Sequence, residues 1–94
     1  MRKAPVPIKV TFDQAARKIE EARALHLPME IKESALGRIA CITGSAGGAF
    51  VVRAWLEHPN AEFGEVYFFE DARKGFAYYN RLWKLIFHKE EGVR

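Results

Sequence analysis

Four short segments with strand-like patterns follow one another in the middle of the chain, and the turns between them are short. The segments are Met29–Ser34, Arg38–Thr43, Ala49–Glu57 and Glu65–Glu70. Parallel neighbours need a crossover of a dozen or more residues, so connections this short favour an antiparallel meander. The loop His58-Pro59-Asn60 is expected to separate the last two segments and to be closed by Gly64.

The amino-terminal part predicts an edge strand followed by a helix. Residues Val6–Phe12 alternate between apolar and polar side chains, and Pro7 within them is typical of a sheet edge. Asp13 or Thr11 suits the helix N-cap, and Pro28 ends the helix after Leu27. The apolar line of this helix is thin and consists of Ala15, Ile19, Ala22 and His26.

A longer amphipathic helix is predicted from Asp71, as its cap, to about Lys89, with Gly92 beyond its end. Its apolar residues fall on one arc at about 100° per residue. They are Ala72, Gly75, Phe76, Tyr79, Leu82, Trp83, Ile86 and Phe87. The predicted fold is therefore α+β: an antiparallel sheet of about four strands with a helix at each end, in the order β-α-β-β-β-β-α, with the last helix lying across one face.

Length and composition define a broad class. The 94 residues suit a single domain, 1–94, and 49% hydrophobic with 29% charged residues is ordinary for a globular protein. A lone cysteine, Cys41, excludes a disulfide within the chain and favours a reducing compartment. No apolar run approaches the length of a membrane span, so a cytoplasmic location without membrane association is expected.

No motif for catalysis or cofactor binding is recognised. Thr43–Gly48 resembles a phosphate loop, but it lacks the lysine and is followed by a strand instead of a helix, so a hairpin turn is predicted. The three histidines lack metal-ligand spacing, and the predicted roles are a packed His26, a turn His58 and a helix-end His88. We therefore expect no catalytic residues, no metal and no cofactor.

Both faces of the central strands carry large apolar groups, which is the first feature that bears on function. Phe50, Val52, Ala54 and Leu56 face one way, with Val66 and Phe68 of the last strand. The opposite face carries Val51, Arg53, Trp55, Glu57, Tyr67 and Phe69. If the last helix covers one face, the face with Trp55 must meet the first helix, a second subunit or a stacking ligand.

The second feature is a basic side of the last helix. Arg73, Lys74, Arg81, Lys84 and His88 fall within an arc of about 100°. Tyr78 borders this arc. Such a face suits phosphates or an acidic protein surface, and the alternative is a helix face that is simply solvated.

The order of elements adds a resemblance. Four antiparallel strands followed by a helix resemble the single-strand-binding units of the Whirly and PUR type. The resemblance implies dimerisation through the helix or sheet, and binding of single-stranded nucleic acid on a curved sheet. A ribonuclease of the RelE type is a second small, basic α+β comparison, for which Arg53, His58 and Tyr67 are the candidates.

Three functional hypotheses follow. The first is a non-enzymatic, homodimeric module that binds nucleic acid through a basic helix face and an aromatic sheet face. The second is a protein-interaction module, an adaptor or inhibitor, with Trp55 at the centre of its contact. The third is a small ribonuclease. The predicted contact residues are Arg53, Trp55, Tyr67, Arg73, Lys74, Tyr78, Arg81, Lys84 and His88.

Overall fold

The computed structural model describes residues 6–44, 47–58 and 61–91, without the side chains of residues 57, 58, 61 and 87–91. Its elements are β1 (Ile8–Val10), α1 (Phe12–Ala24), β2 (Met29–Ser34), β3 (Gly37–Thr43), β4 (Ala49–His58), β5 (Ala61–Phe69) and α2 (Ala72–Glu91). The predicted α+β class and element order are confirmed. The sheet has five strands, because the short arm β1 joins it.

The strands form one antiparallel sheet in the order β1-β5-β4-β3-β2. Strands β2 to β5 are a meander, as predicted, and the turn after Thr43 connects the antiparallel pair β3 and β4. The amino-terminal strand β1 then pairs with β5, where Ile8 lies opposite Val66. It therefore occupies an edge, as predicted from Pro7.

The two helices lie on opposite faces of the sheet, and each covers its own core. The α1-side core consists of Ala15, Ile19, Ala22, Ala40, Ile42, Val52, Ala54 and Val66. The α2-side core consists of Ile39, Cys41, Ala49, Val51, Trp55, Tyr67 and Tyr79. The predicted split of β4 and β5 side chains between two faces is confirmed.

The assignment of faces to helices differs from the expectation. Trp55 is only 3% exposed and belongs to the α2-side core, so α2 itself covers the face that was expected to need the first helix, a partner or a ligand. The longer helix brings large side chains, including Tyr79, Leu82 and Trp83, that pack against this face. The face with Phe50 receives the thin helix α1 instead.

Gly64 lies inside β5 and does not close a loop, contrary to the prediction. A Cβ at this position would lie 2.9 Å from Cβ of Ala15 and would collide with the carbonyl oxygen of Thr11. Only glycine lets α1 approach the strand this closely. Strand β5 begins at Ala61, before the predicted start at Glu65.

Reciprocal hydrogen bonds start α1 and decide between the two predicted caps. The backbone N–H of Gln14 donates to Oγ1 of Thr11 at 3.0 Å, and the backbone N–H of Thr11 donates to Oε1 of Gln14 at 2.9 Å. This capping box makes Thr11 the N-cap. Asp13 lies instead in the first turn, where its charge suits the helix dipole.

The end of α1 places His26 in an unusual backbone conformation. The helix ends at Ala24, and the N–H groups of His26 and Leu27 donate to the carbonyl oxygens of Arg23 and Ala22. These bonds form a Schellman motif, whose left-handed position usually carries glycine. His26 occupies it with φ 56° and an exposed side chain, so the predicted packed role is wrong.

Replacing His26 by glycine is expected to raise the free energy of unfolding by about 1 kcal/mol, because the left-handed conformation disfavours a Cβ atom. The melting temperature should rise by about 4–8 °C. Thermal and urea unfolding followed by circular dichroism measures the change. His26→Ala is the matched control, since it removes the imidazole and keeps Cβ. An equal gain in both variants would show that the backbone conformation is not the cause.

Candidate nucleic-acid interface

The outer side of α2 presents four exposed cations. Asp71 caps the helix, because its Oδ1 accepts the backbone N–H of Arg73 at 2.9 Å. The inner side of the helix is anchored at Gly75, where a Cβ would lie 2.9 Å from Cβ of Ala49. With that side against the sheet, the exposed residues on the opposite side include the cations Arg73, Lys74, Arg81 and Lys84.

This cationic side, the α2 basic face, is defined as Arg73, Lys74, Arg81 and Lys84. The helix has no acidic residue between positions 73 and 88, so its own sequence supplies no carboxylate to pair with these cations within that stretch. Asp71 lies 3.8 Å from Nε of Arg73, whose side chain remains 94% exposed. His88, the fifth predicted member, has a side chain outside the described residues.

Tyr78 lies between the α2 basic face and the sheet. Its ring centroid is 4.8 Å from that of Tyr67 and 5.6 Å from that of Phe69. The ring is half-buried in these contacts, so its main role in the fold is to pack α2 on β5. The part that remains exposed lies beside the α2 basic face on the helix.

A buried carboxylate, that of Glu65, binds three side chains on the α2 side of the sheet near the β1 edge. Glu65 is 6% exposed and lies opposite both Lys9 and Arg53 in the strand register. Its oxygens accept from Nζ of Lys9 at 3.1 Å, Nη1 of Arg53 at 3.2 Å and Oη of Tyr67 at 3.2 Å. We call these four residues the Glu65 cluster.

Arg53 is held from a second direction by an aromatic ring. Its guanidinium carbon lies 4.4 Å from the ring centroid of Phe63, a cation–π contact. The side chain is 18% exposed, and its Nε has no hydrogen-bond partner among the described residues. Arg53 is therefore mainly a structural counter-ion of Glu65 and offers little surface to a ligand.

Burial sets the protonation of the tyrosines and the cysteine on the α2 side. Burial, then the hydrogen bond with Tyr78 and the nearby charge of Glu65, raise the pKa of Tyr67 far above its ordinary value. Burial first, then Glu30 and Cys41, raise the pKa of Tyr79 to about 12. Burial and Glu30 also raise the pKa of the Cys41 thiol. These groups stay protonated near neutral pH, so Cys41 lacks the thiolate form that a nucleophile needs.

The predicted contact residues therefore lie in different environments. The four cations of the α2 basic face are exposed, whereas Trp55 and Tyr67 lie in the α2-side core at 3% and 5% exposure. An open aromatic sheet face around Trp55 is thus not present, because α2 occupies it. Trp55 is equally unable to serve as the exposed anchor of a protein contact.

The sequence did not single out Lys9, Phe63 or Glu65. A signal existed in the pattern, since charged residues stand among apolar ones on three strands. Only the register shows that Lys9, Glu65 and Arg53 form one cross-strand row.

The ribonuclease candidates are brought together in part. Arg53 and Tyr67 share Oε1 of Glu65, while the side chain of His58 lies outside the described residues. The shared carboxylate forms an ion pair with Arg53 and accepts a hydrogen bond from the hydroxyl of Tyr67, so both groups are engaged within the fold. General acid–base catalysis needs groups free to exchange protons with a substrate, and this pair does not supply them.

The described residues contain no group of three or more His, Cys, Asp or Glu side chains placed to hold a metal ion. No helix in the described part of the chain is long and apolar enough to cross a membrane. The searches of protein-family models, of curated proteins and of solved structures found no match for this chain.

Proposed function

We propose that the protein is a small non-enzymatic module that binds single-stranded nucleic acid through the α2 basic face and acts as a homodimer. The observation that carries this proposal is the exposure of Arg73, Lys74, Arg81 and Lys84 on one side of a helix that has no acid between positions 73 and 88. Cations grouped in this way attract phosphates and release their counter-ions.

Recognition through this face is electrostatic and largely independent of base sequence. Lysine and arginine side chains on a helix surface reach phosphate oxygens, and such contacts position a protein without reading bases. Trp55 and Tyr67 are withdrawn from the proposed contact set because they are buried under α2. Tyr78 stays at its border as a half-buried ring.

The test is the salt dependence of binding to a labelled single-stranded oligonucleotide. The oligonucleotide should be longer than about 16 nucleotides, the upper site size of a single OB-fold domain. Four phosphate contacts predict a slope of about −3 in log K against log salt. Reversing two charges, Arg81→Glu with Lys84→Glu, should lower affinity at low salt at least about tenfold and reduce the slope to about −1.5. Fluorescence anisotropy measures both quantities.

The matched control carries the same change in net charge on the other side of the molecule. Arg23 and Arg38 pair with Glu33 and Glu20, at 3.5 Å and 2.7 Å, around α1. Such exposed pairs stabilise a fold by about 1 kcal/mol or less each, so Arg23→Glu with Arg38→Glu should remain folded. Equal losses in both double variants would mean that net charge alone drives binding, and the absence of binding at low salt would refute the proposal.

A further inference from the structure

The α1 side of the sheet has an uncovered corner that carries large apolar side chains. Phe68 of β5 is 56% exposed, and Leu25, just beyond α1, is 70% exposed. Ile8 of β1 is 61% exposed and shares this side with its cross-strand partner Val66. Half or more of each side chain therefore contacts water on one side of the molecule.

Phe68 and Leu25 line an open apolar depression of about 660 Å³, together with Leu27 and Phe50. The rings of Phe50 and Phe68 lie opposite each other in the strand register, with centroids 5.4 Å apart. We call this surface, with Ile8 beside it, the apolar corner. A contiguous apolar patch of this kind is uncommon on a monomer and typically marks a contact surface.

The corner is open because α1 is short and approaches the sheet elsewhere. The helix has 13 residues and contacts β5 at Gly64, toward the other end of the strand from Phe68. Its buried side chains are Ala15, Ile19 and Ala22, of which two are too small to reach across to Phe68. The ring of Phe68 at the end of β5 is therefore left exposed, and the ring of Phe50 at the start of β4 is only partly buried.

The charges around the corner indicate which partner it fits. Nζ of Lys18 lies 5.9 Å from the ring centroid of Phe50, and Glu70 lines the depression. The groove between α1 and β1 is lined by Arg17, Lys18 and Glu21, so it also carries charges of both signs. In an isologous dimer the same patch of each copy contacts that of the other. Positive groups at the rim of one copy therefore need negative groups at the rim of the other, and this rim has both. The carboxylates in turn disfavour nucleic acid at this surface.

We infer that the apolar corner is the surface through which two copies of this chain associate. The aromatic pair Phe50 and Phe68 forms the dry centre of the contact, where aromatic side chains contribute most to affinity. Since α2 lies on the opposite face of the sheet, the dimer directs its two α2 basic faces outward. This association does not depend on nucleic-acid binding.

The experiment is sedimentation equilibrium of the full chain over a range of concentrations, with Phe68→Glu as the test variant. The wild-type chain should sediment as a dimer, and the variant should dimerise at least about thirtyfold more weakly. Leu25→Glu is a second test at an exposed position, so that the result does not depend on one substitution. Circular dichroism checks that each variant is folded.

The matched control is Leu85→Glu, because Leu85 is 69% exposed and lies on α2, across the sheet from the corner. This variant should remain a dimer. A wild-type chain that sediments as a monomer at every concentration would overturn the inference, as would Phe68→Glu and Leu25→Glu variants that dimerise like the wild type. The Arg81→Glu, Lys84→Glu variant should stay dimeric, so failure of dimerisation and failure of nucleic-acid binding are read out separately.

Discussion

Trp55→Ala is expected to lower the free energy of unfolding by about 3–5 kcal/mol. The indole is 3% exposed within the α2-side core, and its removal leaves a cavity between β4 and α2. The indole also packs on the backbone of Gly37, where an added Cβ would lie 3.0 Å from Cε3 of Trp55, and alanine would lose this contact. For a small domain this loss is a large share of the total stability.

Chemical unfolding followed by circular dichroism measures this effect, and Trp55→Phe is the control. Phenylalanine keeps an aromatic ring in the core and should cost clearly less than alanine. While it remains folded, the Trp55→Phe variant should bind single-stranded nucleic acid like the wild type, since the indole lies under α2. A Trp55→Ala variant within about 1 kcal/mol of the wild type would contradict the core role.

Glu65→Ala is expected to cost about 3 kcal/mol of stability, the second largest effect. The carboxylate is the shared acceptor for Lys9, Arg53 and Tyr67 at 3.1–3.2 Å. Without it, the guanidinium of Arg53 remains in a site where its side chain is only 18% exposed. Removing one partner of a largely buried ion pair leaves an uncompensated charge, which destabilises far more than the pair itself stabilises.

Two further variants isolate that cause. The double substitution Glu65→Leu with Arg53→Met removes both charges and should recover most of the lost stability. Lys9→Ala should cost less than about 1 kcal/mol, because the Lys9 side chain is 78% exposed and Glu65 keeps Arg53 and Tyr67 as partners. A double variant as unstable as Glu65→Ala would show that the packing of Glu65, and not the stranded charge, is responsible.

The residues that stabilise the fold lie apart from the surfaces proposed to contact partners. The sheet side under α2 holds the fold together through Trp55 and the Glu65 cluster. The surfaces that remain for partners are the outer side of α2 and the apolar corner on the other side of the sheet. The sequence predicted an uncovered apolar sheet face at Trp55, but Trp55 is buried, and Phe68 of β5 on the other face is the side chain found exposed.

What the sequence by itself determined is local and periodic. The order of elements, the two-faced character of β4 and β5, the inward side of α2 and the capping by Asp71 all follow from spacings of a few residues. The exposure of the four cations follows from the same helical period, since the inward side of α2 is set by its apolar arc.

Only the tertiary structure decided which helix covers which face, because both faces of the sheet are apolar and periodicity cannot choose between them. It also decided that Gly64 belongs to a strand, since the reason for glycine there is a helix distant in sequence. The pairing of Lys9, Glu65 and Arg53 depends on a register between three strands. Contacts between distant segments are set by packing. Packing therefore determined which aromatic side chains of this chain are buried and which are exposed.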